Sequence, residues 1–83
     1  MTDPALCKRL AEFMGVKNEY PWHPDTDIAQ AMMVAERIGG LRLSQSDEHW
    51  YAGFHERPLW QADAATTAIS LAADAWLRQG GGR

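Results

Sequence analysis

Three histidines and one cysteine are the side chains best suited to bind a metal or to act as acids, bases or nucleophiles. They are His23, His49, His55 and Cys7. Their spacing matches neither Cys-x-x-Cys pairs nor His-x-x-x-His, the compact patterns typical of zinc sites. On a single strand, His49 and His55 would lie about 20 Å apart at roughly 3.3 Å per residue, which is too far for one ion. The sequence therefore predicts no metal site.

Nucleophilic and acid–base catalysis are not indicated either. Cys7 lies on or beside the apolar stripe of a predicted helix, and no Cys–His or Ser–His–Asp signature accompanies it. Asp25 with Asp27, and Asp47 with Glu48, are carboxylate pairs, but a helix cap and a solvated turn explain them. We predict that the thiol packs in the core and that the protein has no catalytic residue and no cofactor.

The aromatic residues are the remaining candidates for a binding site. Tyr51 alternates with the apolar residues of its predicted strand, so it faces away from the core. If that face is open, it presents a mixed aromatic patch that suits a protein partner or a stacked base. The alternative is that Trp60, or the loop with Tyr20 and Trp22, covers this face. The predicted partner-binding residues are Tyr51, His49, His55, Asp47, Glu48 and Trp60.

Composition excludes several classes of protein. The chain has 83 residues, of which 46% are hydrophobic, which predicts one globular domain near the lower size limit for a single core. The formal net charge is -3 and the basic residues are dispersed, so no direct nucleic-acid partner is expected. One cysteine excludes an internal disulfide and fits a reducing compartment. Without an apolar run of about 18 residues or a signal-like leader, we expect no membrane association and a cytoplasmic location.

Hydrophobic periodicity and breaker residues divide the chain into helices and a hairpin. Asp25 or Thr26 is the expected cap of the second helix, and Asp63 is the expected cap of the last. The predicted elements are an N-terminal helix over 1–15, a helix over 25–39, a hairpin over 41–55, a C-terminal helix over 63–78 and a flexible tail over 79–83.

This order, α-α-β-β-α, predicts an α+β fold. A small antiparallel sheet of two or three strands packs against two or three helices, and Trp60 either tucks back or adds a short edge strand. Because a two-stranded ribbon is only marginally stable, self-pairing of an edge into a homodimer is an open alternative. The expected core contains Trp50, Phe54, Ile28, Ile69 and Trp76, with Leu41, Leu43 and Ala52 also facing the helices.

Three motifs resemble a family of small phage and prophage proteins. They are Thr26-Asp27-Ile28-x-x-Ala31, Trp50-x-Ala52-x-Phe54 and Ala65-Thr66-Thr67-Ala68-Ile69-x-Leu71-Ala72-Ala73. The family is the "phage ABA sandwich" type, which is also similar to NinX-like phage proteins, and the resemblance covers about residues 20–77. It implies an origin in a bacteriophage or prophage, and hence the cytoplasm of a bacterial host, but it transfers no catalytic residue.

The resulting expectation is a non-enzymatic, phage-encoded interaction protein that binds and inhibits a host protein or complex. The leading target is an antiviral defence component such as a CRISPR–Cas complex. One alternative is a small-molecule binder that sequesters a nucleotide signal, using the aromatic face with Arg42 or Arg57. Others are a structural phage accessory protein and a small enzyme.

Overall fold

The computed structural model describes residues 4–16 and 22–80, and these form three helices and three strands. The elements are α1 Pro4–Met14, α2 Ile28–Ile38, β1 Leu41–Ser46, β2 His49–Phe54, β3 Trp60–Ala62 and α3 Ala65–Arg78. The predicted α+β fold, with a small antiparallel sheet packed against helices, is confirmed. Trp60 begins a short edge strand, so the sheet has three strands.

The sheet is antiparallel throughout, in the order β1-β2-β3. Ser46 pairs with His49 around a two-residue turn, in which Asp47 adopts a φ of 56°. An aspartate tolerates this left-handed conformation better than most residues, so the turn type agrees with its sequence.

The helices cover one face of the sheet. α3 lies against β2 and β3, while α1 and α2 pack against α3. Ala52 and Phe54 point from β2 into the core cluster, where they meet buried residues of all three helices. The largest fully buried apolar side chains are Phe54, Leu10, Ile69 and Val34.

The predicted core is right for Phe54 and Ile69 and wrong for Ile28. Phe54 and Ile69 are almost fully buried, whereas Ile28 is 52% exposed. Trp50 and Trp76 are only partly buried, against the edge of the core cluster. The sequence pattern therefore identified the strand and the last helix, but it misjudged how α2 is turned.

The buried side of α2 matches only part of the stripe predicted from apolar spacing, which was Ile28, Ala31, Met32, Ala35 and Ile38. Its buried residues are Gln30, Ala31, Val34 and Ala35. Gln30 is held inward because its Oε1 accepts the His23 N–H at 2.5 Å. Ile28, Met32 and Met33 lie on the exposed side of the helix.

Both predicted helix caps are wrong by one or two residues. α2 is capped by Asp27, whose carboxylate accepts the N–H groups of Ala29 at 2.9 Å and Gln30 at 3.2 Å. Asp25 and Thr26 precede this cap. The N-cap of α3 is Ala64, which makes no side-chain cap hydrogen bond, so Asp63 is one residue too early to cap the helix.

Polar contacts tie α1 and the segment before α2 to α3. Arg9 donates to both carboxylate oxygens of the buried Asp74, at 2.5 and 2.8 Å, and Arg78 lies 3.2 Å from the same carboxylate. The Cys7 thiol lies 3.4 Å from Oδ1 of Asp25. Cys7 is buried, as predicted for a packed thiol.

An aromatic residue also anchors the segment before α2. Trp22 is buried in the core cluster. Thr67 of α3 donates to the Asp25 carbonyl at 3.1 Å. Tyr20, which was grouped with Trp22 as a possible cover of the outward face of the hairpin, lies outside the described residues.

Candidate functional site

The strand register defines a polar face of the sheet that points away from the helices. Residues directly opposite each other across antiparallel strands share a face, and Ala52 and Phe54 mark the helix-covered one. The opposite side, which we call the open face, is formed by Arg42, Ser44, Ser46, His49, Tyr51 and Gln61.

Tyr51 lies at the centre of the open face. Ser44 of β1 and Gln61 of β3 are its direct cross-strand partners, and both are exposed. Tyr51 itself is half-buried. A tyrosine held between two small or flexible polar neighbours offers a ring for packing and a hydroxyl for hydrogen bonding, which is how tyrosine contributes at protein interfaces.

The β1–β2 turn makes one end of the open face acidic. Asp47 and Glu48 are both exposed there. Asp63 lies beside the next strand, with Oδ1 3.4 Å from Nδ1 of His49 and its side chain 95% exposed. That His49 nitrogen is shielded from solvent but makes no hydrogen bond in the described structure. The sequence predicted Asp63 only as a helix cap. Its place beside His49 could not be predicted, because it depends on how β3 pairs with β2.

Ser46, His49 and Asp63 form a row across the sheet, with the residue types of a hydrolytic triad. Ser46 is the direct partner of His49, and Asp63 is on its other side. The histidine has no hydrogen bond to Ser46 within the described residues, and the Asp63 side chain lies almost entirely in water. A nucleophile needs a base held by an oriented third group. The row is therefore best interpreted as polar surface.

The opposite end of the open face is covered by the loop between β2 and β3. A Cβ at Gly53 would lie 3.0 Å from Cδ2 of Leu59, so the loop sits directly on this position. The Arg42 guanidinium donates to the Arg57 carbonyl and fixes the loop to β1. The predicted alternative was that Trp60, or the loop with Tyr20 and Trp22, covers this face. Leu59 covers this end instead, and Trp60 pairs with Ala52 on the helix-facing side.

Two of the six predicted partner-binding residues lie away from Tyr51. Trp60 pairs with Ala52, which puts its side chain on the helix-facing side. His55 has a φ of 57°, and its ring lies 6.4 Å from the ring of Trp76 on α3. The predicted single patch is therefore wrong for His55 and Trp60. Tyr51, His49, Asp47 and Glu48 remain together on or beside the open face.

Trp60 instead lines a pocket of about 240 Å³ between β3, the β2–β3 loop and α3. Its walls include Phe54, Leu59 and Trp76. Arg57 is at its rim, where its guanidinium donates to Oε1 of Gln79. A wider, open depression of about 680 Å³ adjoins the pocket and includes His55 and Glu56. Aromatic walls with one cation at the rim suit a small, flat, anionic molecule.

Metal-binding and membrane-spanning features are not found in the part of the chain that the structure describes. No three His, Cys, Asp or Glu side chains of residues 4–16 and 22–80 are grouped so that they could hold an ion. None of the helices there has the length and apolar character needed to cross a bilayer.

Comparisons with known proteins find no relative. No family model matches the chain, and neither the curated proteins nor the solved structures include a significant match. The residues, their geometry and the motif resemblance are therefore the basis for proposing a function.

Proposed function

We propose that this protein is a non-enzymatic binding module that captures another protein through its open face. The observation that carries the proposal is Tyr51, which lies at the centre of this face between Ser44 and Gln61. Central aromatic residues supply most of the binding energy in protein interfaces, and surrounding polar residues exclude water. One aromatic side chain surrounded by polar side chains suits a surface that is exposed to water in the free protein and can still bind a partner protein.

Charge indicates the chemistry of the partner. Asp47, Glu48 and Asp63 make the turn end of the open face acidic, and the chain carries a formal net charge of -3. A partner with a basic patch beside an apolar or hydrogen-bonding pocket is complementary to this arrangement. These three acidic residues would mainly raise the rate of association with the partner, whereas Tyr51 would mainly slow dissociation.

The motif resemblance to small phage proteins supports a host factor as the partner. We propose that the protein acts in the cytoplasm of a bacterial host, where it occludes an antiviral component such as a CRISPR–Cas complex. Inhibition by occlusion needs only stoichiometric binding and no chemical reaction.

A plating assay combined with affinity capture tests this function. Expression of the wild-type chain should restore plating of a phage on a CRISPR–Cas strain, and the tagged chain should retain the target at a fixed stoichiometry. Tyr51→Ala should lower the affinity by about 30-fold, the equivalent of about 2 kcal/mol. Trp60→Ala is the matched control, because it removes an exposed aromatic ring from the other face.

The contribution of the acidic turn end of the open face can be tested against its own matched control. Asp47→Asn with Glu48→Gln should slow association and reduce its salt dependence. Glu12→Gln with Glu36→Gln changes the net charge equally on exposed helix positions and should have no effect. Unchanged capture by Tyr51→Ala, or no rescue of plating by the wild type, would refute the proposal.

The pocket beside Trp60 favours a second candidate, which is sequestration of a small nucleotide signal. Arg57 is at its rim, whereas Arg42 lies on the open face and reaches only the backbone carbonyl of Arg57, so one of the two predicted cations is at the pocket. However, 240 Å³ is below the roughly 300–1,000 Å³ of typical ligand pockets. It has room for one ring system, so protein capture is the better supported function. Calorimetric titration with cyclic nucleotides distinguishes the two, because only ligand binding in this pocket should be lost in Trp60→Ala.

A further inference from the structure

The outer edge of β1 is a long strand edge to which no described segment of the chain pairs. β1 lies at the end of the sheet, and all of its residues except the first are exposed. Among residues 4–16 and 22–80, only β2 pairs with it. An unpaired edge presents a row of backbone N–H and C=O groups that can pair with another strand.

The backbone groups that face outward follow from the hydrogen-bond pattern. The His55 N–H donates to the Gly40 carbonyl at 2.8 Å, just beyond the first residue of β1. Hydrogen-bonded pairs recur at every second residue of an antiparallel ladder, so Arg42, Ser44 and Ser46 bond to β2. The N–H and C=O groups of Leu41, Leu43 and Gln45 therefore point away from the sheet.

β1 lacks the features that usually protect an edge from pairing. It contains no proline and no lysine, its register with β2 is continuous, and Arg42 is its only charged residue. By contrast, β3 has only three residues and lies between Pro58 and Asp63. Short strands, prolines and charges are the common ways of blunting an edge. Of the two edges of this sheet, β1 is the one open to pairing.

Leu43 lies at the middle of the outward-facing set. It is 40% exposed, although its register with Ala52 puts it on the helix-facing side. The cause is that α3 covers β2 and β3 and stops short of β1. An apolar side chain at the centre of a bare strand edge gains the most from a second strand placed beside it.

We propose that β1 pairs antiparallel with β1 of a second copy, about a twofold axis that passes through Leu43. In this register Leu43 faces Leu43 of the second copy, and Leu41 faces Gln45. About six backbone hydrogen bonds form across the axis. Each exposed Leu43 is covered by the other, and Arg42 faces Ser44, so no like charges are opposed. The two open faces then join into one continuous surface, with a Tyr51 in each half.

Sedimentation equilibrium from micromolar to millimolar concentration tests the pairing. The wild type should shift from monomer to dimer. Leu43→Lys puts two ammonium groups across the axis and should raise the dimer Kd by about tenfold or more. Gln61→Lys is the matched control, because it adds the same charge at the β3 edge and should leave the Kd unchanged. A wild type that stays monomeric at millimolar concentration overturns the proposal.

The register is tested by changing Ser44. Ser44→Glu would face Arg42 of the second copy on both sides of the axis and should lower the Kd by about threefold. Ser44→Lys would face the same arginine and should raise the Kd by a similar factor. Equal effects of the two variants would exclude this register.

Amide hydrogen exchange gives a readout that does not depend on a variant being folded. In the dimer, the amides of Leu41, Leu43 and Gln45 should exchange slowly, and they should become fast on dilution to the monomer. Arg42 and Ser44 bond to β2 in either state and are internal controls. Fast exchange at all three outward positions in a dimer would place the interface elsewhere. Slow exchange in a monomer would show that another part of the same chain covers the edge, which also overturns the proposal.

Discussion

At the level of single residues, Asp74 holds the most demanding position, because its carboxylate is buried and depends on arginine for compensation. It is 2% exposed, and Arg9 and Arg78 are its partners. A buried carboxylate is stable only when its oxygens are hydrogen-bonded or paired. The bidentate contact from Arg9 joins α1 to α3, so this pair specifies how the first helix docks.

We expect Asp74→Ala to lower the free energy of unfolding by about 1–3 kcal/mol in urea denaturation. The loss is moderate because the Arg9 side chain is 38% exposed, so water already solvates part of its charge. Arg78→Ala is the control, since that side chain is 60% exposed, and it should cost at most about 0.5 kcal/mol. Equal losses in the two variants would mean that the Arg9–Asp74 contact contributes nothing specific.

Gly40 combines a left-handed backbone conformation with close contact to a neighbouring ring. Its φ is 68°, and an added Cβ would lie 2.6 Å from Nδ1 of His55. Gly40→Ala should therefore destabilise the protein by about 1–3 kcal/mol, through left-handed strain and displacement of the imidazole from Trp76.

A double-mutant cycle of Gly40→Ala with His55→Ala separates the two causes of this loss of stability. If the ring contact matters, Gly40→Ala should cost about 1 kcal/mol less when His55 is already alanine. Gly15→Ala is the control for strain alone, because its φ is 73° and no described atom lies within 4 Å of the added Cβ. Additive losses in the cycle would show that strain explains the whole effect.

At the level of elements, helices α2 and α3 begin in different ways. α2 is capped by the Asp27 carboxylate, whereas α3 begins after Ala64 with no side-chain cap. Asp27→Ala should cost about 1 kcal/mol, and Asp63→Ala, the neighbouring acid that was predicted to cap α3, should cost much less. Thermal unfolding of the two variants measures the difference. A larger loss for Asp63→Ala would show that its contact with His49 is more important than the cap of α2.

The elements themselves could be predicted from the sequence because their signals are local. Apolar residues three and four positions apart mark α2 and α3, and alternation marks β2. β3 has only three residues, which is too short for a clear alternation of apolar and polar positions. The sequence therefore leaves two alternatives for Trp60, a loop position or a short edge strand. The exact caps depend on one residue of backbone conformation, which pattern alone does not fix.

At the level of the whole molecule, the candidate site was only half predictable because its shape depends on contacts between distant segments. Tyr51 could be assigned to an outward face from alternation alone. The separation of His55 depends on a positive φ, and that of Trp60 depends on its pairing with Ala52. The exposure of Ile28 depends on which side of α2 packs against α3. None of these contacts leaves a periodic trace in the sequence.

Cys7 offers a probe of whether the molecule opens as one unit. The thiol is 8% exposed on α1 and contacts Asp25, in a segment that Thr67 ties to α3. A reagent can reach it only when these elements separate. Its labelling should therefore be at least about a hundredfold slower than that of a thiol at Gln61, made as Gln61→Cys in a Cys7→Ser background.

Two variants then distinguish global opening from detachment of α1. Asp74→Ala weakens the contact between α1 and α3, while Phe54→Ala creates a cavity at the sheet and should cost about 3–5 kcal/mol. If the domain unfolds cooperatively, both variants should speed labelling of Cys7 tenfold for each 1.4 kcal/mol or so of lost stability. If α1 detaches by itself, Asp74→Ala should speed labelling and Phe54→Ala should not. We expect the first result, because Leu6 and Leu10 of α1 share one core cluster with Phe54, and detaching α1 alone would expose that cluster to water.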